Sequence, residues 1–187
     1  MRPNKIVRIV IIGSFGAQGD PVYRVHQPAA ALADLPGVEV IEVHPAAAAR
    51  DAAALAADLL VLTMTLDLEA LRLIRQRRLL GRPTVVEVND YLPDVQPLNP
   101  AASTWHDRRG HLLFHALIRA ADGCQFSSEG LAERLADQAR AAAVFPNHLN
   151  AVPPEGLPPL EPGPGPLRIG WGGSPAIAMI WPVSRRR

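Results

Sequence analysis

Six short runs of apolar, largely β-branched residues recur along the first 150 positions: "KIVRIVIIG" (5–13), "PGVEVIEVH" (36–44), "LLVLTMT" (59–65), "PTVVEVND" (83–90), "GCQFS" (123–127) and "AAAVFPN" (141–147). The first is nearly continuous in Ile and Val, as a parallel strand covered on both faces should be. Stretches of helical character separate the runs, at 27–35, 49–58, 67–81, 106–121 and 128–138. The best is "DLEALRLIRQRRLLG": Asp67 can cap its start, Leu71, Ile74 and Leu79 recur near helical spacing, and Gly81 stops it. In 106–121 the residues Leu113, Phe114, Leu117 and Ile118 form an apolar stripe. "SFGAQGDPVYR" (14–24) reads as a loop. Strand and helix patterns in alternation predict an α/β fold: an open, mostly parallel, Rossmann-like sheet with helices on both faces.

The texture then changes. "AVPPEGLPPLEPGPGP" (151–166) is too dense in proline and glycine for helix or central strand, so it reads as a linker. "LRIGWGGSPA" (167–176) has the look of the first strand and glycine turn of another domain, and "IAMIWPVSRRR" (177–187) follows without an amphipathic helix. The expected division is a Rossmann-like domain at 1–150, a linker at 151–166, the start of a second domain at 167–176, and a tail.

Charge and composition narrow the function classes. A formal net charge of +1 over 187 residues gives no global attraction to nucleic acid or anionic membrane. The single cysteine, Cys124, excludes an intramolecular disulfide and suits a reducing cytoplasm; its apolar context marks it as a small core residue. No run reaches the ~20 apolar residues of a membrane span, and Ile6–Ile12 is too short for a signal core. His111 and His115 have a ligand-like spacing but no evident third partner, so no metal is expected.

In open parallel sheets, ligands sit beyond the carboxyl ends of the strands. That rule selects Gly13, Ser14 and Gly16 after the first strand, with Arg24 and His26 where the first helix begins. It also selects Glu87, Asn89 and Asp90 after the fourth strand, Ser127, Ser128 and Glu129 after the fifth, and Asn147 and His148 after the sixth. Arg24 can clamp a phosphate or carboxylate. Asp90 suits a general base or a binder of hydroxyl groups, although Asn-Asp is also ordinary turn chemistry. Ser127 or Ser128 can cap the next helix. "GSFGAQG" is not a clean dinucleotide fingerprint, and no well-placed acid ends the second strand, which disfavours NAD.

Five segments in order, "GDPVYRVHQPAAAL", "PTVVEVNDYL", "CQFSSEGLAERL", "AVFPNHLN" and "LRIGWGGSPA", resemble the N-terminal half and crossover of a bacterial GT-B glycosyltransferase of the family-4-like kind. The resemblance runs to Ala176. It implies an acceptor-binding domain facing a nucleotide-sugar-binding domain across a cleft, no metal or other cofactor, and a glycan or lipid-linked acceptor, with peripheral membrane contact compatible. It places Gly13, Ser14, Gly16, Arg24, His26, Asn89, Ser127, Ser128, Glu129 and Asn147 in the cleft, Asp90 as the candidate catalytic residue, and Gly172, Gly173 and Ser174 near the donor diphosphate. After Ala176 the family pattern, "GSP-x-H-x-x-D-L", is lost. Restoring one base within the Ala176 codon, on assumed GC-rich codons, returns Ala-His-Arg-His-Asp-Leu, so 177–187 is expected to be out-of-frame translation and the chain inactive in transfer. The alternative is a stand-alone Rossmann-like binding domain or a partner subunit without catalysis.

Overall fold

The computed structural model describes residues 6–16, 19–64, 67–95, 97, 102 and 107–148. The linker, the glycine turn at 172–174 and the tail lie outside them. Strands β1 (Val7–Ile12), β2 (Val38–Val43), β3 (Leu59–Thr63), β4 (Thr84–Val88), β5 (Gly123–Phe126) and β6 (Ala142–Val144) form one sheet in the order β2-β1-β3-β4-β5-β6. Every pair is parallel; Ile9 aligns with Val40 on one side and Leu59 on the other. Each strand lies within its predicted apolar run, which extends at most three residues beyond either strand end.

The helices are α1 (Gln27–Ala33), α2 (Arg50–Ala56), α3 (Leu68–Leu79), α4 (Arg108–Ala120) and α5 (Glu129–Leu135). Asp67 and Ser128 cap α3 and α5, their side chains accepting from the amides of Ala70 and Leu131. One part of the predicted loop is ordered differently. Pro21–His26 is a π-helical turn running directly into α1. Gly19, at φ +68°, reverses the chain ahead of it, and the Gly19 carbonyl accepts from the amides of Val22 and Tyr23.

The strand order explains how the faces are covered. From β1 the chain steps one way to β2, then the other way through β3 to β6. Right-handed crossovers therefore put α1 on one face and the later helices on the opposite face. The core divides accordingly. Val10, Ile12, Leu60, Leu62, Val86, Val88 and Phe126 pack with Leu73 and Ile74 of α3, Phe114, Leu117 and Ile118 of α4, and Leu131 and Leu135 of α5. Ile9 and Ile11 pack with Val25 and Ala29 on the other face. Cys124 is in the larger core, where burial pushes its thiol up to about 12 and leaves it unreactive.

The α3 stripe departs from the expected one. Leu79 is 89% exposed, whereas Arg77 is wholly buried. The guanidinium of Arg77 donates to Thr84 Oγ1 (3.1 Å) and to the carbonyls of Ala54, Ala57 (2.9 Å), Asp58 (3.4 Å) and Pro83 (2.8 Å). It thus gathers the end of α2 and the amino ends of β3 and β4. Burial, with Arg82 adding, lowers its pKa to about 10, which still leaves a cation at neutral pH.

Candidate functional site

The strand order reverses between β1 and β3, and at such a switch point the loops leave in opposite directions and open a crevice. A crevice of about 220 Å³ lies there, lined by Ser14, Asp20, Val25, Pro45, Thr63, Met64 and Asp67. Its described lining carries two carboxylates and two hydroxyls and no cationic side chain. Asp67 is fixed twice: Oδ1 accepts from Ala70 N, and Oδ2 accepts from Arg50 Nη1 at 2.9 Å. Met64, at φ +45°, is a non-glycine residue in the left-handed region, a conformation that costs on the order of 1–3 kcal/mol. Its amide nonetheless donates to the Glu87 carbonyl, so the strain is held in place by the sheet.

A buried polar group lies at the same end of the sheet. Glu87 is the register partner of Thr63 and is wholly buried. Arg24, delivered by the π turn, donates from Nε to Glu87 Oε1 at 2.6 Å. Arg24 Nη1 donates to the Phe145 carbonyl (2.8 Å) and to Asn147 Oδ1 (3.1 Å), tying down the chain as it leaves β6. Arg24 Nη2, Glu87 Oε2 and Asn89 Oδ1 are buried without a hydrogen-bond partner among the described residues. Desolvation raises the Glu87 pKa to about 7 against the pull of Arg24, and the charges of Asp20 and Asp90 add to the rise. Asp90 is itself raised, by desolvation and then by Asp20.

The residues selected from sequence take several different places. Ser14 lines the crevice. Gly13 is buried beneath it: a Cβ there would stand 2.6 Å from Val25 Cγ2 and 3.2 Å from Thr63 Cβ, so close packing requires this glycine. Gly16 is exposed. Arg24 bonds both Asn147 and Glu87, as described. His26 pairs with Glu42 (Nδ1 to Oε2, 2.5 Å). Ser127 Oγ donates to the Asn89 carbonyl at 2.8 Å, joining the ends of β4 and β5, while Ser128 caps α5 with Glu129 exposed in its first turn. His148 is exposed. Asp20, Pro45, Thr63, Met64 and Asp67 were not selected from sequence for binding. Asp67 signalled only a cap, and nothing local marks Met64 as left-handed.

Among the described residues no cluster of three His, Cys, Asp or Glu side chains could hold a metal ion, and no helix is long and apolar enough to cross a membrane.

No family model and no curated protein matches the chain. Among solved structures, it is similar to a conserved protein from Enterococcus faecalis V583 at 16% identity, with 71% of this chain and 99% of that one covered and a TM-score of 0.41. A likeness of that size assigns no role to any residue of the crevice.

Proposed function

We propose that this chain forms the acceptor-binding half of a GT-B-like glycosyltransferase, which moves a sugar from a nucleotide-sugar donor to a glycan or lipid-linked acceptor. The observation that carries the reading is the chemistry of the crevice. Asp20 and Asp67 offer acceptors for sugar hydroxyls, while Ser14 and Thr63 can both donate and accept. Asp20 repels a diphosphate, and Asp67, neutralised by Arg50, offers it no attraction, so the crevice suits the acceptor rather than the donor. The donor diphosphate would belong to a second half, which the Gly172-Gly173-Ser174 motif resembles at its opening turn. In this reading transfer needs no metal. Dipoles and basic side chains of the donor half stabilise the leaving group.

The test is an NMR titration of the full chain with a panel of neutral oligosaccharides and with UDP. Oligosaccharides are expected to shift the Ser14, Asp20 and Thr63 resonances, and Asp20→Asn is expected to weaken binding about tenfold. Tighter binding of UDP than of any sugar in the crevice would overturn the reading. The single six-stranded sheet formed by the described residues favours a second reading, a binding domain or partner subunit without catalysis. Sugar transfer from a nucleotide-sugar to a crevice-bound glycan, measured with a donor-binding half added, separates the two.

A further inference from the structure

Beside the crevice, three rings meet at the carboxyl ends of β1 and β2. Phe15 follows Ser14 and is 46% exposed. Its ring centroid lies 5.8 Å from that of His26 and 5.5 Å from that of His44, the second contact edge-on. The phenyl ring is therefore braced by an imidazole from the π turn and another from the end of β2. An exposed apolar ring held in this way loses little side-chain freedom on meeting a ligand.

The hydrogen bonds of the two imidazoles assign their free nitrogens. His44 Nδ1 accepts from the Ala46 amide at 3.1 Å, so it carries no proton, and the ring's hydrogen is on Nε2. His26 Nδ1 faces the Glu42 carboxylate at 2.5 Å and donates to it, which leaves Nε2 for another partner. His44 is exposed, and the His26 side chain is 36% exposed. The cluster thus offers a ligand a half-exposed phenyl ring flanked by two imidazoles that can hydrogen-bond. Pro45, next to His44, and Ser14, next to Phe15, both line the crevice.

We propose that Phe15, His26 and His44 form a sugar-binding platform at the mouth of the crevice, on which one pyranose ring of an oligosaccharide stacks its C–H face while two of its hydroxyls meet the imidazoles. This rests on the reading of the crevice as an acceptor site and names a second subsite for that acceptor. A ring with equatorial hydroxyls suits the platform, because its axial C–H bonds meet the electron-rich face of the phenyl ring and its hydroxyls lie at the rim. A nucleobase could stack on the same ring. A nucleotide is disfavoured, because Glu42 beside the platform and Asp20 in the crevice oppose its phosphates.

The experiment is a titration of the full chain with cellobiose, maltose, uridine and UDP, followed by amide and imidazole NMR resonances. Cellobiose or maltose is expected to shift Phe15 and the imidazole signals of His26 and His44. Phe15→Ala should weaken that binding at least fivefold, and Phe15→Trp should keep or tighten it. Because Phe15 is exposed, neither change threatens the fold. Unchanged affinity in Phe15→Ala, with crevice resonances still shifting, overturns the platform and leaves the acceptor reading standing. Shifts at the platform with none at Ser14, Asp20 or Thr63 support the platform and overturn the acceptor reading. Uridine binding more tightly than either disaccharide overturns the proposal, and no binding by any sugar overturns both.

Discussion

Two arginines are buried at opposite ends of the sheet, and they are used differently. At the amino end, Arg77 makes five bonds, enough to occupy every N–H of its guanidinium, and four of the acceptors are backbone carbonyls. At the carboxyl end, Arg24 makes three bonds, one of them to a carboxylate, and its Nη2 is unmatched among the described residues. The first arrangement closes a structure. The second leaves buried polar atoms in the region where ligands reach an open parallel sheet. A cation satisfied by fixed carbonyls is part of the scaffold, whereas one satisfied by an ionisable partner can be rebalanced by a proton or a ligand.

Substitution should expose that difference. Arg77→Met leaves the carbonyls of Ala54, Ala57, Asp58 and Pro83 short of a donor and is expected to cost about 3–5 kcal/mol, read as a fall in the urea midpoint. Lysine there should restore only part of the loss, since an ammonium has three donors and cannot span the same acceptors. Recovery of full stability by Arg77→Lys would contradict the scaffold role.

Arg24→Met is expected to cost less, about 1–3 kcal/mol, because the stranded Glu87 can take up a proton. The double change Arg24→Met/Glu87→Met should return to within about 1 kcal/mol of the parent, as replacement of a buried ion pair by apolar side chains often does. No second substitution can rescue Arg77→Met in that way, because four of its five partners are main-chain carbonyls. A double mutant as unstable as the sum of the two single changes would erase the distinction between the ends.

The two ends also differ in pH dependence. Glu87 moves from 4.5 to about 7 on folding, so between those values the native chain holds a proton that the unfolded chain has released. Its contribution to stability is complete below pH 4.5 and is lost as pH rises through about 7. Unfolding free energies of wild type and Glu87→Gln, measured from pH 4 to 8, should differ in slope across that window by up to about 1–3 kcal/mol in total. Parallel curves would mean that Arg24 keeps Glu87 ionised throughout.

Much of the fold was legible in the chain. The apolar runs marked the four central strands because a buried parallel strand must be mostly apolar, and shorter apolar or alternating patterns marked the edge strands β2 and β6; Asp67 and Ser128 announced their caps because a hydroxyl or carboxylate before a helix has unbonded amides to meet. The rule that ligands gather at strand ends points to Ser14, which lines the crevice, and to Glu87 and Asp90 at the end of β4. Other positions were not legible. Helical spacing favoured Leu79 over Arg77 because a periodic pattern counts apolar residues, and a buried arginine is unforeseeable until carbonyls from three segments converge on it. Phe15 and His44 lie 29 positions apart, and only the parallel pairing of β1 with β2 brings the ends of those strands together.

The sequence by itself determined the alternation of strands and helices, since local periodicity and turn chemistry need no distant partner. Tertiary structure decided the rest: the order β2-β1-β3-β4-β5-β6, the crevice where that order reverses, the pairing of Arg24 with Glu87 across 63 positions, and the left-handed backbone at Met64. Each of these depends on groups far apart in the chain being held within a few ångströms, and only the packed sheet supplies that proximity.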